Sequence, residues 1–143
     1  MKTRTGFVSN SSSTSFVIIG RSGDLQIPTS LDNTLTVSGN YEFGRDFETT
    51  RDVNGRIAWA VMQAQYQGKA DWLQMIADVV TETSGWTLVC PIDVDNQAYN
   101  SPNYSYIDHQ SIGESNEIFA SKDELKAWIF DKESYVRMGN DNV

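Results

Sequence analysis

Arg51-Asp52-Val53-Asn54-Gly55-Arg56-Ile57-Ala58-Trp59-Ala60-Val61-Met62-Gln63-Ala64-Gln65-Tyr66-Gln67 is the stretch that decides the class of fold. Ile57, Ala60, Val61 and Ala64 recur at three- and four-residue spacing, which predicts a helix with an apolar face. Thr50 or Asp52 would cap its start, because a short side-chain oxygen can accept from the unpaired amides of the first turn. Gly55 weakens that turn by about 1 kcal/mol relative to alanine. Gln67-Gly68 ends the helix, with Gly68 suited to a left-handed C-cap. A second helix follows over Ala70–Thr83, with Trp72, Leu73, Ile76, Val79 and Val80 as its buried stripe and Gly85 closing it. The two make a helical hairpin able to cover one face of a sheet.

Strands flank the hairpin on both sides. Phe16-Val17-Ile18-Ile19, closed by Gly20, is a short aromatic and β-branched run and predicts a buried strand. Arg21 to Asp24 reads as a turn, and Leu25 and Ile27 before Pro28 as a short edge strand. Thr34-Leu35-Thr36-Val37 and Tyr41-Glu42-Phe43 alternate in polarity about Ser38-Gly39-Asn40, which predicts a hairpin and a small antiparallel meander. After the helices, Trp86–Ile92 is a further strand limited by Pro91. Asp93 to Asn103 is a polar loop, and Tyr104 to Ile107 a strand. Ser121-Lys122-Asp123-Glu124 has the spacing of a capping box and opens a short helix over Ser121–Phe130. Tyr135, Val136 and Met138 make the last strand. The expected architecture is α+β: a mostly antiparallel sheet, a two-helix hairpin on one face and a short C-terminal helix, in one domain over residues 1–143.

Composition narrows the classes. The chain has 143 residues, 39% hydrophobic and 11% aromatic, enough for a packed core. No apolar run approaches the ~20 residues a membrane-spanning helix needs. A net charge of −8 repels nucleic acid and anionic lipid and suits a basic partner. Cys90 is the only cysteine. It cannot form an internal disulfide and reads as a small buried hydrophobe in a reducing compartment.

The chain opens with Arg4, then Gly6-Phe7-Val8-Ser9-Asn10-Ser11-Ser12-Ser13-Thr14-Ser15, running straight into the first strand. Ser and Asn side chains bond nearby backbone and favour turns, so this is a turn-rich lead-in. Ser9, Asn10, Ser11 and Ser12 also suit a second role, an anion-binding nest or docking segment, although no P-loop glycine pattern or lysine accompanies them. A serine-rich linker is the third reading. The order Arg-x-Gly-Phe-Val-Ser-Asn-Ser-Ser-Ser before an apolar strand resembles a group of small uncharacterised bacteriophage and prophage proteins. Tyr41-Glu42-Phe43-Gly44, Ile107-Asp108-His109-Gln110-Ser111 and Gly139-Asn140-Asp141-Asn142 extend the similarity, while Thr14 interrupts the serine run of that group. The group carries no assigned activity, so the resemblance implies a source and assigns no residue a role.

Candidate chemistry is sparse. The only histidine, His109, stands in Asp108-His109-Gln110-Ser111. With Asp93, Asp95 and Asp108 it would give a mixed oxygen and nitrogen ligand set, but Asp93-x-Asp95-Asn96 lacks the glycine and terminal glutamate of a calcium loop. Ser111 follows His109 by two, which on a strand places both on one face, yet no nucleophile-elbow motif appears. Asp108, His109 and Ser111 are therefore the catalytic candidates of an alternative reading, a small metal-dependent or acid–base enzyme. Trp59, Trp72, Trp86 and Trp128 fit core positions better than a ligand pocket. Tyr99, Asn100, Asn103, Tyr104 and Tyr106 cluster about Pro102 in residue types that recognition surfaces favour. The expected function is binding of a protein partner, from the host or the virion, in host cytoplasm or virion. No cofactor, no nucleic acid and no membrane enter this reading, and a homo-oligomer is compatible with it.

Overall fold

The computed structural model describes residues 13–44, 47–96, 98 and 100–140. Its elements are β1 (Ser13–Ile18), β2 (Thr34–Thr36), β3 (Glu42–Phe43), β4 (Glu48–Thr50), α1 (Val53–Tyr66), α2 (Ala70–Ser84), β5 (Thr87–Val89), β6 (Tyr106–Ile107), α3 (Lys122–Phe130) and β7 (Tyr135–Asn140). Short 3₁₀ turns at His109–Ser111 and Asn116–Phe119 lie between β6 and α3. The protein is α+β, with an antiparallel sheet in the order β1-β7-β4.

Helix α1 is the organising element. The Asp52 carboxylate caps it, accepting from Gly55 N at 3.0 Å. Every residue from Gly55 to Ala64 is buried, so this helix is surrounded and has no solvent face. Periodicity alone points to one apolar face; neighbours on all sides enclose the rest, including Arg56 and Gln63. Gly55 serves the cap: a Cβ there would overlap the Thr50 side chain and lie 2.8 Å from Asp52 Oδ1. Helix α2 packs back on α1, making the expected hairpin, and ends at Gly85 with φ +83°, where glycine carries little penalty.

Register fixes which strand residues meet the helices. In the β1-β7-β4 sheet, Ser15 and Glu48 flank Met138, and Val17 and Thr50 flank Val136. Val136 and Met138 are buried in the same core as Ile57, Trp59, Ile76, Trp128 and Phe130. Burying one such side chain contributes about 1.5–3 kcal/mol, so this inner face anchors the sheet to the helices.

The meander expected in the first third does not form. β2 pairs in parallel with β5 and β3 in parallel with β6. The turn between β2 and β3 bonds elsewhere instead: Gly39 N donates to Asn103 Oδ1 at 3.0 Å and Tyr41 N to Ser105 Oγ at 3.0 Å. Leu25 makes only an isolated bridge to Asp131, so the edge strand expected there shrinks to a single contact. At α3 the Ser121 side chain accepts from Glu124 N at 3.1 Å, as the capping spacing predicts. The reciprocal half of the box is diverted, because the Glu124 carboxylate takes two bonds from the Arg21 guanidinium at 2.7 and 2.8 Å.

Candidate functional site

Polar side chains of α1 reach outward and hold the loops of the second half. Gln65 Nε2 donates to Ile92 O at 2.7 Å, and Gln65 Oε1 accepts from Val94 N at 3.0 Å. One amide thus satisfies both a carbonyl and an N–H at the start of the 93–105 loop. At the other end, Asn40 Nδ2 donates to Tyr104 O at 2.8 Å and to Ser101 O at 3.3 Å. Asn103 N donates to Ser101 Oγ at 3.2 Å. Such backbone-directed amides replace the ladder bonds a loop lacks. The start of the loop is therefore held from α1 and residues 101–105 from the 38–41 turn.

The tyrosines are set against this frame. Tyr104 and Tyr106 are half-buried, with ring centroids 6.4 Å apart at 46°. Tyr66 at the end of α1 is close enough to feel both, and burial foremost pushes its phenol above the ordinary value. Asn100 is exposed, whereas Asn103 is spent on Gly39. Of the residues expected to meet a partner, Asn100 and Tyr104 thus lie in the loop and Tyr106 in β6 directly after it, and Asn103 works internally. Tyr99 and the opening Ser9, Asn10, Ser11 and Ser12 lie outside the described residues. The sequence did not point to Asn40 and Gln65, which hold the loop's ends, or to Tyr66 beside its tyrosines; only their amide and phenol chemistry could have flagged them.

The acidic candidates are occupied in local turns. Asp93 accepts from Asp95 N and from Asn96 Nδ2, each at 3.0 Å, and the Asn96 bond foremost holds its carboxyl below the ordinary range. Asp108 caps the His109–Ser111 turn through Gln110 N at 3.1 Å, and a Cβ at Gly44 would overlap it. Among the described residues, no three of His, Cys, Asp and Glu gather so as to hold a metal ion. Asp93, Asp95, Asp108 and His109 are therefore not brought together as a ligand set there. Burial foremost raises the Cys90 thiol, which disfavours a nucleophilic thiolate.

His109 and Ser111 part company. The stretch is a 3₁₀ turn, with three residues per turn, so positions two apart point in different directions. His109 is exposed and Ser111 buried at 1% exposure. Among the described residues, Ser111 Oγ is a buried side-chain atom without a hydrogen-bond partner, and such an atom destabilises by about 1–3 kcal/mol. Ser111→Ala should thus unfold at the same temperature as the parent or a few degrees higher. A marked fall in thermal stability would show that the hydroxyl is bonded after all.

No family model, no curated protein and no solved structure matches this chain.

Proposed function

We propose that the chain is a phage-type accessory protein that acts by binding another protein, of the host or of the virion, through the 93–105 loop and Tyr106 at the start of β6. One observation supports the reading above others. Gln65 ties residues 92 and 94, and Asn40 and Asn103 tie residues 101–104, while Asn100 and Pro102 stand exposed beside half-buried Tyr104 and Tyr106. Chain tied down at both of these ends loses less entropy on binding, so its contact area converts more fully into affinity. Tyr and Asn there supply amphipathic area and adaptable hydrogen bonds.

Asn100→Arg tests this. The side chain is exposed, so the change should leave thermal unfolding within about 0.5 kcal/mol of the parent. Tagged parent and variant would be used to capture protein partners from phage-infected cells, with the captured chains quantified. At least a tenfold loss of a partner held by the parent is expected. Equal capture by both would overturn the loop assignment, and recovery of small molecules alone would overturn the binding function itself.

A further inference from the structure

The outer face of the β1-β7-β4 sheet is unlike the rest of this acidic surface. By register, Phe16, Arg137 and Thr49 form one row across the three strands. Ile18 and Tyr135 form the next, and Arg51 completes it by lying over the Tyr135 ring, Cζ 4.4 Å from the centroid. Arg137 lies over Phe16 in the same way, at 5.2 Å. Ile18 is 45% exposed and Phe47, just before β4, is 60% exposed. Phe16, Ile18, Phe47 and Tyr135 all stand apart from the core that takes Val17, Val136 and Met138.

Two arginines with aromatic rather than carboxylate partners meet on this one face. The chain has 19 acidic and 11 basic residues, so carboxylates are in excess. Three exposed cations elsewhere find them, Arg21 with Glu124, Lys122 with Glu82 and Lys132 with Asp24, while Lys69 lies over the Trp72 ring. Among the described residues, Arg51 and Arg137 have aromatic rings and no carboxylate. Asp52, next in sequence to Arg51, is committed to the α1 cap. A guanidinium laid on a ring keeps its edge donors free and loses little freedom when an anion arrives.

We propose that this face is a docking surface for an acidic protein segment, one that places carboxylates beside aliphatic or aromatic side chains. The guanidinium edges would take the carboxylates in forked pairs, and Ile18, Phe47 and the ring faces would cover the apolar side chains. An extended segment repeats its side chains every ~6.8 Å along one face, matching the row-to-row step of the sheet. The net charge of −8 works against every anionic occupant, so attraction has to come from the two local guanidinium groups; a peptide segment is favoured over nucleic acid because Ile18 and Phe47 offer cover to apolar side chains. The surface is independent of the 93–106 segment, whose residues it does not share.

The test is binding of a fluorescein-labelled dodecapeptide of alternating glutamate and leucine to the full chain, followed by anisotropy. Saturable binding is expected, at least tenfold weaker for the glutamine-for-glutamate peptide and weaker again as salt rises. Arg51→Gln with Arg137→Gln should weaken it at least tenfold, with unfolding unchanged, while Asn100→Arg leaves it intact. No saturable binding at millimolar peptide, equal binding of the glutamine peptide, or indifference to the arginine changes would each overturn the proposal. So would preference for a labelled oligothymidylate, or concentration-dependent self-association abolished by the same two changes.

Discussion

Arg56→Ala should lower the stability of this protein by about 4 kcal/mol or more, measured by chemical denaturation. The side chain is fully buried. Nε donates to Ile129 O at 3.0 Å, Nη1 to Ser134 O at 2.7 Å and Nη2 to Gln26 Oε1 at 2.8 Å. Burial foremost pushes the guanidinium below its ordinary value, opposed in part by the charges of Asp52 and Asp131; an arginine side chain is nonetheless a cation in a folded protein. Truncation strands carbonyls at the end of α3 and in the 131–134 turn, each at about 1–3 kcal/mol, and opens a cavity besides. Relief of the cation's own desolvation works the other way, but it does not restore the lost donors. Arg56→Met separates the parts: it fills much of the volume yet cannot donate, and should retain about half of the loss. Gln26 is exposed, so Gln26→Ala should cost little because water replaces that acceptor. Stability of Arg56→Ala within about 1 kcal/mol of the parent would refute this account of the 129–134 segment.

Gly20→Ala should cost about 2–3 kcal/mol. A Cβ at this position would overlap the Asp131 carboxylate and come within 2.8 Å of Ser134 N. The carboxylate is poorly placed to yield. It accepts from Ser22 Oγ at 2.8 Å, Gly23 N at 2.9 Å and Glu133 N at 2.9 Å. Burial by itself would raise its pKa, but those bonds together hold it below the ordinary value. Ser134 is tied as well, because its hydroxyl accepts from Gly20 N at 2.8 Å and donates to Ala127 O at 2.7 Å. Either the 20–23 turn moves away from β7 or these bonds lengthen. Ser22→Ala removes one donor without a clash and should cost only about 1 kcal/mol. If Gly20→Ala unfolds at the parent's midpoint, the turn is softer than its hydrogen bonds imply.

Both results rest on residues whose importance is hard to read in a linear chain. Arg56 looks like a solvent-face position on an amphipathic helix, because periodicity records only which positions are apolar. Its burial follows from elements that arrive later in the sequence, α3 and the 131–134 turn. Gly20 reads as the end of a strand, which it is; the demand for glycine comes from Asp131, more than a hundred residues away. Gly55 is similar: a cost on a propensity scale, and a necessity where Thr50 and Asp52 crowd the first turn. The candidate site divides the same way. Asn100, Tyr104 and Tyr106 stand out by residue type, whereas the anchoring of the chain around them by Gln65 and Asn40 is a product of tertiary structure. The arginine-aromatic face was not legible at all, since Phe16, Thr49 and Arg137 become neighbours only through register.

From the sequence by itself came the α+β class, the three helices and their caps at Asp52, Gly85 and Ser121, and the first and last strands. These depend on local periodicity and local hydrogen bonding, which act within a few residues. Tertiary structure alone decided that β2 and β3 pair in parallel with distant β5 and β6, that α1 is enclosed on every side, and that Asp108, His109 and Ser111 diverge. Those outcomes turn on which surfaces bury each other and which backbone groups find partners at long range, and no window of neighbouring residues carries that information.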